Sequence, residues 1–407
     1  MQSCPIKTRC APWIKGYVLP RTLITTDDLA AFCARAADAA YVTVDTEFLR
    51  ERTYFAQLCL VQMALPGHDE ADAVLIDPLA AGLSLDPLYD LFRDPRVVKV
   101  FHAARQDLEI FHIAGGVVPA PLFDTQVAAM VCGFGDQVGY ETLVRKILRA
   151  PLDKSSRFTD WSRRPLSAAQ KTYALADVTH LRQIYEHFKD TLARTGRTHW
   201  VEEELANLTD ASSYIIDPEN AWKRLKFKSY SGPTLAVAKE LAAFRERYAQ
   251  DKNIPRSRII KDDALVELAS TKPKTLAELG ASRLLLREAR KGAVAEGLVA
   301  AVVRGLAVLP EHQPTPPARH DRSAAKGALG DLLRVLLKAK AEESGVAAKL
   351  IASAADLDAM AGGDLHGIWA KGWRYEVFGA DALRLLRGEI ALSAQDKVVK
   401  IVPVLDV

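Results

Sequence analysis

The stretch YVTVDTEFL, residues 41–49, decides the fold of the N-terminal part of this chain. It opens with an aromatic residue followed by β-branched side chains, a composition that favours a buried β-strand. Because side chains alternate along a strand, Asp45 and Glu47 are predicted to share one face at its end. Taken alone, such a pair is more typical of an edge strand with two solvated acids, so its meaning depends on the segments that follow.

A second acid follows the next predicted strand. Residues 97–116, VVKVFHAARQDLEIFHIAGG, predict a strand over 97–101 and then a helix that stops at the two glycines. Asp107 lies in the early turns of that helix. The helix dipole favours acids in this position, so Asp107 by itself has an ordinary explanation.

A third segment pairs an acid with a tyrosine. The apolar spacing of residues 168–188 predicts a long helix. Tyr173 and Asp177 are four residues apart in it and therefore share a face. Alone, this pair is more typical of a packing tyrosine beside a surface acid.

Gathered at one site, the four carboxylates have a clear chemical use. Hard divalent cations such as Mg²⁺ or Mn²⁺ prefer oxygen ligands. Two such ions side by side clamp the attacking and leaving oxygens of a phosphoryl displacement. Without cations the carboxylates would repel one another, and at least one pKa would rise. The set Asp45, Glu47, Asp107 and Asp177 therefore predicts a metal site.

The three acidic segments resemble, in order and in flanking residues, the DEDD superfamily of 3′→5′ exonucleases over about residues 23–207. DTEF, HAARQDLEIF and YALAD are similar to its three motifs. A tyrosine four residues before the last aspartate marks one branch of the superfamily, and Tyr173 holds that place. Thr172 stands where the other branch has histidine. His180 fits neither pattern and is interpreted as a helix-surface residue.

Neighbouring residues narrow the resemblance to the ribonuclease D family. FLRERTYFAQLCLVQMA, residues 48–64, is similar to the segment that follows the first motif in that family. FDTQ, residues 123–126, is similar to a stretch after the second motif. Asp124 is interpreted as a helix N-cap rather than a fifth ligand, because an apolar run follows it.

The resemblance implies an enzyme, a 3′→5′ exoribonuclease that releases 5′-mononucleotides from RNA 3′ ends, with precursor tRNA as the expected substrate. Asp45, Glu47, Asp107 and Asp177 would hold two Mg²⁺ or Mn²⁺ ions, and Tyr173 would orient the attacking water. The alternatives are a DNA exonuclease of the same superfamily and a catalytically silent RNA-binding scaffold. The intact acids and tyrosine argue against the scaffold.

Four further residues near the motifs are candidate contacts for the terminal nucleotides: Phe48, Tyr54, Gln57 and His102. Aromatic side chains stack on unpaired bases of any sequence. Each of the four is equally well explained as a core residue or as support for the acids.

The second half of the chain predicts helical modules. A helix–IPRSRII–helix–KPK–helix pattern resembles the HRDC domain, a small helical module that often contacts nucleic acid. A later helical segment resembles a second such module more weakly and ends in a strand-like tail over 398–404. The expected division is an extension (1–20), an exonuclease domain (21–215), an HRDC domain (233–308), a Pro-rich linker (309–322) and a second HRDC-like helical module with its tail (323–407).

The expected fold is therefore α/β, with a ribonuclease-H-like mixed sheet followed by two all-α HRDC-type modules. The strand-then-helix order comes from the residues, whereas the sheet topology is what the resemblance implies. The sheet would run through four segments: 41–48, 55–64, 73–77 and 97–101.

Composition agrees with this expectation. The net charge is +3, but residues 222–305 hold 18 Lys and Arg against 9 Asp and Glu, which favours either a polyanion partner or a solvated helical surface. No apolar run approaches the ~18 residues of a membrane helix. Five scattered cysteines without a C-x-x-C pair favour a reducing cytoplasm. No phosphate-binding Gly-rich loop is present, which argues against ATP-driven activity. A monomer is expected.

Overall fold

The computed structural model describes residues 21–67, 72–153, 155–227, 231–315 and 327–404. The expected N-terminal extension lies outside the described residues, and so does the later part of the expected Pro-rich linker. Separate hydrophobic cores organise an N-terminal α/β domain, a helical domain and a C-terminal module. Among the described helices, none combines the length and the apolar run that a bilayer crossing requires.

A mixed sheet of six strands forms the N-terminal domain. In chain order the strands are β1 (Arg21–Leu23), β2 (Tyr41–Leu49), β3 (Gln57–Ala64), β4 (Ala73–Ile76), β5 (Val98–Phe101) and β6 (Leu122–Asp124). They lie in the order β1-β4-β3-β2-β5-β6. Strand β3 is antiparallel to both of its neighbours, and the other pairs are parallel. The four predicted strands and the mixed sheet are confirmed, and β1 and β6 extend its edges.

Helices cover this sheet. They are α1 (Thr26–Ala36), α2 (Asp86–Arg93), α3 (Arg105–Gly115), α4 (Thr125–Val131), α5 (Tyr140–Leu143), α6 (Ala168–Thr195) and α7 (Thr198–Thr209). Val42 and Val44 of β2 pack into the main core with α1, α2 and α3, whereas Tyr41 packs against Leu181 of α6. Since side chains alternate, the odd-numbered residues of β2 face α6.

Helix α6 is longer than predicted. It begins at a capping box made by Ser167 and Gln170 and ends before Gly196, which has a left-handed φ of 69°. The prediction ended the helix at residue 188. Leu192 is buried in the main core, so the apolar face continues for a further turn and holds the helix together there.

The second domain is helical, as predicted. Its helices are α8 (Gly232–Lys252), α9 (Arg256–Ile259), α10 (Asp262–Thr271), α11 (Leu276–Gly280) and α12 (Gly292–Leu306). Leu241, Leu265 and Leu298 lie in its core. Helices α8 and α12 pack closely, because a Cβ on Gly305 would lie 2.5 Å from the Val237 Cα.

The C-terminal module combines helices with a β-hairpin. Its elements are α13 (Ala328–Ser344), α14 (Ala348–Ile351), α15 (Ala354–Ala361), α16 (Gly372–Arg374), α17 (Ala380–Leu386), β7 (Ile390–Gln395) and β8 (Val398–Pro403). The all-helical prediction is wrong here, although the strand-like tail is confirmed as β8, which pairs with β7. The turn residues Asp396 and Lys397 have φ of 50° and 65°. Both are left-handed as in a type I′ turn, but Asp-Lys lacks the glycine that usually signals one.

Both later modules contact the N-terminal domain. Trp373 stacks on Trp200 of α7 with ring centroids 4.9 Å apart, and its Nε1 donates to Glu204 Oε1 at 2.9 Å. The backbone N–H of Tyr54 donates to Asn253 Oδ1 at 3.1 Å, which ties the β2–β3 connection to the end of α8. The segment after the first acidic motif is thus anchored from the helical domain.

Candidate active site

Strand β2 and helix α6 bring the first and third acidic motifs together. The Thr43 hydroxyl donates to the Val178 carbonyl at 2.9 Å, which fixes α6 across β2. Asp45 and Glu47 follow Thr43 on the same face of the strand. Asp177 precedes Val178, so the bond brings it against the same strand.

Asp107 joins these acids from the first turn of α3. It is buried, and one of its carboxylate oxygens accepts a hydrogen bond from the Thr46 hydroxyl. Asp124 fixes the start of α3 by accepting from the backbone N–H groups of Ala103 and Ala104 at 3.0 and 2.8 Å. It also accepts from the Gln126 N–H, which confirms the helix N-cap interpretation.

Like charges act on one another at this site. Burial, followed by the charges of Asp177, Asp107 and Glu47, raises the pKa of Asp45 well above its usual value. Burial and the charges of Asp177 and Asp107 raise the pKa of Glu47 to about 9. Burial raises the pKa of Asp107 and of Asp177 to about 7. The four carboxylates are therefore close neighbours, and the positive charge beside them does not offset their burial and mutual repulsion.

Tyr173 lies beside the last acid. It is a hydrogen-bond partner of Asp177, which lowers the pKa of that carboxyl against the effect of burial. Burial and the nearby acids raise the pKa of the Tyr173 hydroxyl, so it keeps its proton at neutral pH. Its ring lies 6.0 Å from that of Trp161. Tyr173 can thus donate a hydrogen bond, but it is a poor base.

A pocket of about 320 Å³ opens over these groups. Two of its lining residues were missed by the sequence reasoning. Tyr140 donates from its hydroxyl to the Ala176 carbonyl at 3.0 Å. Arg157 lowers the pKa of both Glu47 and Asp177, and its guanidinium lies 5.3 Å from the ring centre of Phe158. Arg157 comes from an irregular loop, where no periodic pattern could have marked it.

The four candidate nucleotide contacts lie in different places. His102 lines the pocket, with Nδ1 3.0 Å from the Thr125 hydroxyl. Phe48 is half-buried at the end of β2, and Gln57 is exposed and pairs with Leu49. Tyr54 is not part of this pocket; its hydroxyl contacts the helical domain instead.

The donor set suits a hydrated hard cation. In the described residues, no group of three or more acidic, histidine or cysteine side chains is placed to hold a metal ion. Mg²⁺ does not require such a group, because it keeps several waters and binds through one or two carboxylates together with substrate phosphates. Four neighbouring carboxylates with raised pKa values are the arrangement that such an ion would stabilise.

Comparison with known families agrees with this geometry. Residues 20–193 match the model of a 3′-5′ exonuclease family, and residues 234–292 match the HRDC domain. The HRDC match supports one such domain, and the C-terminal module is described only as a helical region with a hairpin.

Relatives extend the similarity over the whole chain. The ribonuclease D of Jannaschia sp. (strain CCS1) is 72% identical over 386 residues, which cover 95% of this chain and all of that protein. The ribonuclease D of Acidiphilium cryptum is 47% identical over 94% of this chain and 97% of that protein. The crystal structure of Escherichia coli RNase D, an exoribonuclease involved in structured RNA processing, is 28% identical. It superposes with a TM-score of 0.78 over 90% of this chain and 98% of that one. This chain belongs to the ribonuclease D family of 3′→5′ exoribonucleases.

Proposed function

We propose that the acidic pocket removes 5′-mononucleotides one at a time from RNA 3′ ends, and that precursor tRNA is a substrate. The observation that carries the proposal is the group of four carboxylates in which burial raises every pKa and the neighbouring charges raise those of Asp45 and Glu47 further. When bound, two Mg²⁺ or Mn²⁺ ions would activate water and stabilise the charge that develops on the leaving oxygen.

The side chains have distinct roles in this proposal. Asp45, Glu47, Asp107 and Asp177 hold the cations. Tyr173 donates a hydrogen bond, or accepts one, to orient the attacking water toward the terminal phosphorus. The bond from phosphorus to the 3′-oxygen then breaks, which leaves a new 3′-hydroxyl on the RNA and a 5′-phosphate on the released nucleotide.

The mouth of the pocket suits an RNA end. Arg157 supplies a cation beside the acids, and the adjacent Phe158 is 91% exposed. A guanidinium binds phosphate, and an exposed ring stacks on an unpaired base. Among the earlier candidates, His102 remains in a position to contact the terminal nucleotide.

Location and assembly are further parts of the proposal. The cysteines at positions 33, 59 and 132 are free, which suits a cytoplasmic enzyme. The contacts that join the modules form between residues of the same chain, which suits a monomer. Light scattering coupled to gel filtration would test the second statement.

The test of substrate and chemistry is a product analysis. We expect 3′-extended precursor tRNA to be shortened with release of 5′-mononucleotides in Mn²⁺ or Mg²⁺, and to remain intact with a chelator. A matched DNA strand serves as control. Equal turnover of the DNA would favour the general exonuclease alternative, and full activity in the chelator would contradict the metal assignment.

A further inference from the structure

A second cavity, here called the interdomain cleft, lies between the N-terminal domain and the HRDC domain. It has a volume of about 440 Å³. Residues of both domains line it, and cations outnumber acids among them. The basic residues in its lining are Arg50, Arg224, Arg245, Arg256 and Lys261, and the acidic ones are Glu109 and Asp262.

Arg245 shows that the cleft is incomplete. The side chain is only 1% exposed, and its Nη1 donates to the Ile260 carbonyl at 3.0 Å and to Asp262 Oδ1 at 2.7 Å. Its Nε and Nη2 have no hydrogen-bond partner within the described residues. Buried donors are costly to leave unpaired, so these two N–H groups are available to an acceptor beyond the described residues.

Arg256, which also lines the cleft, is fixed in one orientation. Its Nε donates to Glu246, a fully buried carboxylate, at 2.6 Å, and its guanidinium lies 4.6 Å from the Tyr54 ring centre. The Tyr54 hydroxyl also contacts Glu246 and Arg256, which explains why Tyr54 lies outside the acidic pocket. A guanidinium fixed in one orientation loses little freedom when it binds an anion.

The remaining cations are less constrained. Arg224 is exposed and lies 4.0 Å from Asp262, and Lys261 is also exposed. Even with Glu246 counted among the acids, the five cations leave an excess of two positive charges. Exposed cations beside buried ones suit an extended polyanion, which can contact several of them at once.

The cleft also lies near the acidic pocket along the chain. Arg50 follows Glu47 by three residues, which corresponds to about 10 Å along an extended segment. Glu109, the ion-pair partner of Arg50, follows Asp107 by two residues in α3. A strand whose 3′ end lies at the acids could therefore reach the cleft with its upstream phosphates.

We propose that the interdomain cleft binds the phosphodiester backbone of RNA upstream of the cleaved end. The inference rests on the proposed function, and it assigns the unpaired Arg245 donors and the exposed Arg224 and Lys261 to phosphate oxygens. Guanidinium groups bind phosphate through parallel charge-assisted hydrogen bonds, and both domains contribute such groups to the lining of the cleft.

The test uses the full chain with Arg224→Ala and Lys261→Ala combined. Both side chains are exposed, so the fold should survive. The matched control is Arg283→Ala with Arg287→Ala, which removes the same charge from exposed positions of the same domain outside the cleft. Binding of a single-stranded RNA of roughly 12 nucleotides is measured by fluorescence anisotropy in chelator over a range of salt, and turnover of a dinucleotide is measured in Mn²⁺.

We expect the cleft variant to bind the RNA on the order of tenfold more weakly than the control variant, with a log–log salt slope shallower by about 0.7 for each lost phosphate contact. Dinucleotide turnover should match the native rate in both variants. Equal affinity and slope in the two variants would overturn the proposal and reduce the cleft to part of a basic surface. If the native enzyme also fails to shorten the single-stranded RNA from its 3′ end in Mn²⁺, the proposed function fails, whereas the binding comparison still decides the cleft.

Discussion

The acidic pocket and the interdomain cleft treat buried charge in opposite ways. In the pocket, burial raises the pKa of all four acids, and the charges of neighbouring acids raise those of Asp45 and Glu47 further, that of Glu47 to about 9. In the cleft, burial alone would raise the pKa of Glu246, but hydrogen bonds from Arg256 and Tyr54 lower it below its usual value. In the pocket Arg157 offsets the acids only in part, whereas the cleft pairs its acids with cations of the same chain.

This difference separates two tasks. The folded chain alone offsets the pocket acids only in part, through Arg157, so bound cations would stabilise this region. The cleft satisfies its acids and retains spare positive charge and unpaired Arg245 donors, so it is complete only with an anion. RNA and divalent cations together would balance the charges of both regions, with cleavage in the acidic pocket and RNA binding in the cleft.

The largest effect is expected from removing a charge in the pocket. Asp45→Asn or Asp177→Asn keeps the side-chain volume but removes a ligand charge, so release of mononucleotides should fall to background. Single-turnover assays in Mn²⁺ measure this, with circular dichroism as the control for folding. A folded variant that retains native turnover would separate that residue from the metal site.

Tyr173→Phe should have the next largest effect. Loss of the hydroxyl removes the group that orients water, so the rate should fall by about 10²–10⁴, the range typical of positioned proton-handling groups. The Mn²⁺ concentration for half-maximal rate should change little, because the acids remain. An unchanged rate would make Tyr173 a packing residue, and a large change in metal dependence would make it a support for the ligands.

The stability of the metal-free enzyme should depend on pH in an unusual direction. Glu47 binds its proton more tightly in the folded state than in the unfolded state. Below about pH 4.5 the side chain is protonated in both states and does not reduce the free energy of unfolding. That free energy falls as the pH rises toward the folded pKa of about 9. Glu47→Gln should therefore stabilise the metal-free protein at pH 8, on the order of a few kcal/mol at most. Urea denaturation in chelator at pH 5 and pH 8 measures this. If the variant is less stable at pH 8, Glu47 is compensated within the fold.

The opposite sign is expected in the cleft. Glu246→Gln removes the partner of Arg256 and leaves a half-buried guanidinium without its carboxylate. The protein should lose roughly 1–3 kcal/mol of stability while dinucleotide turnover stays unchanged. The same urea experiment detects the loss. A gain in stability would erase the contrast between the two regions.

The acids were predictable because local rules place them. Strand alternation sends Asp45 and Glu47 to one face, and the helical repeat joins Tyr173 to Asp177, so short segments carried the information. The position of Tyr54 outside the acidic pocket was not predictable, since its partner Glu246 lies 192 residues away and belongs to another domain. Arg157 and the interdomain cleft depend likewise on loop conformation and domain docking, which no spacing in the sequence encodes. Only strand β8 of the β7–β8 hairpin was predicted, because the turn lacks the glycine that usually signals a hairpin.

The most direct test of the account is turnover by Asp107→Asn, since this acid had the most ordinary alternative explanation. Purified native and variant proteins of equal secondary structure are incubated with single-stranded RNA labelled at its 5′ end, in Mn²⁺ and in chelator. We expect RNA shortened from its 3′ end in steps of one nucleotide only for the native protein in Mn²⁺. The same shortening by the folded variant would contradict the claim that the acidic pocket carries the cleavage.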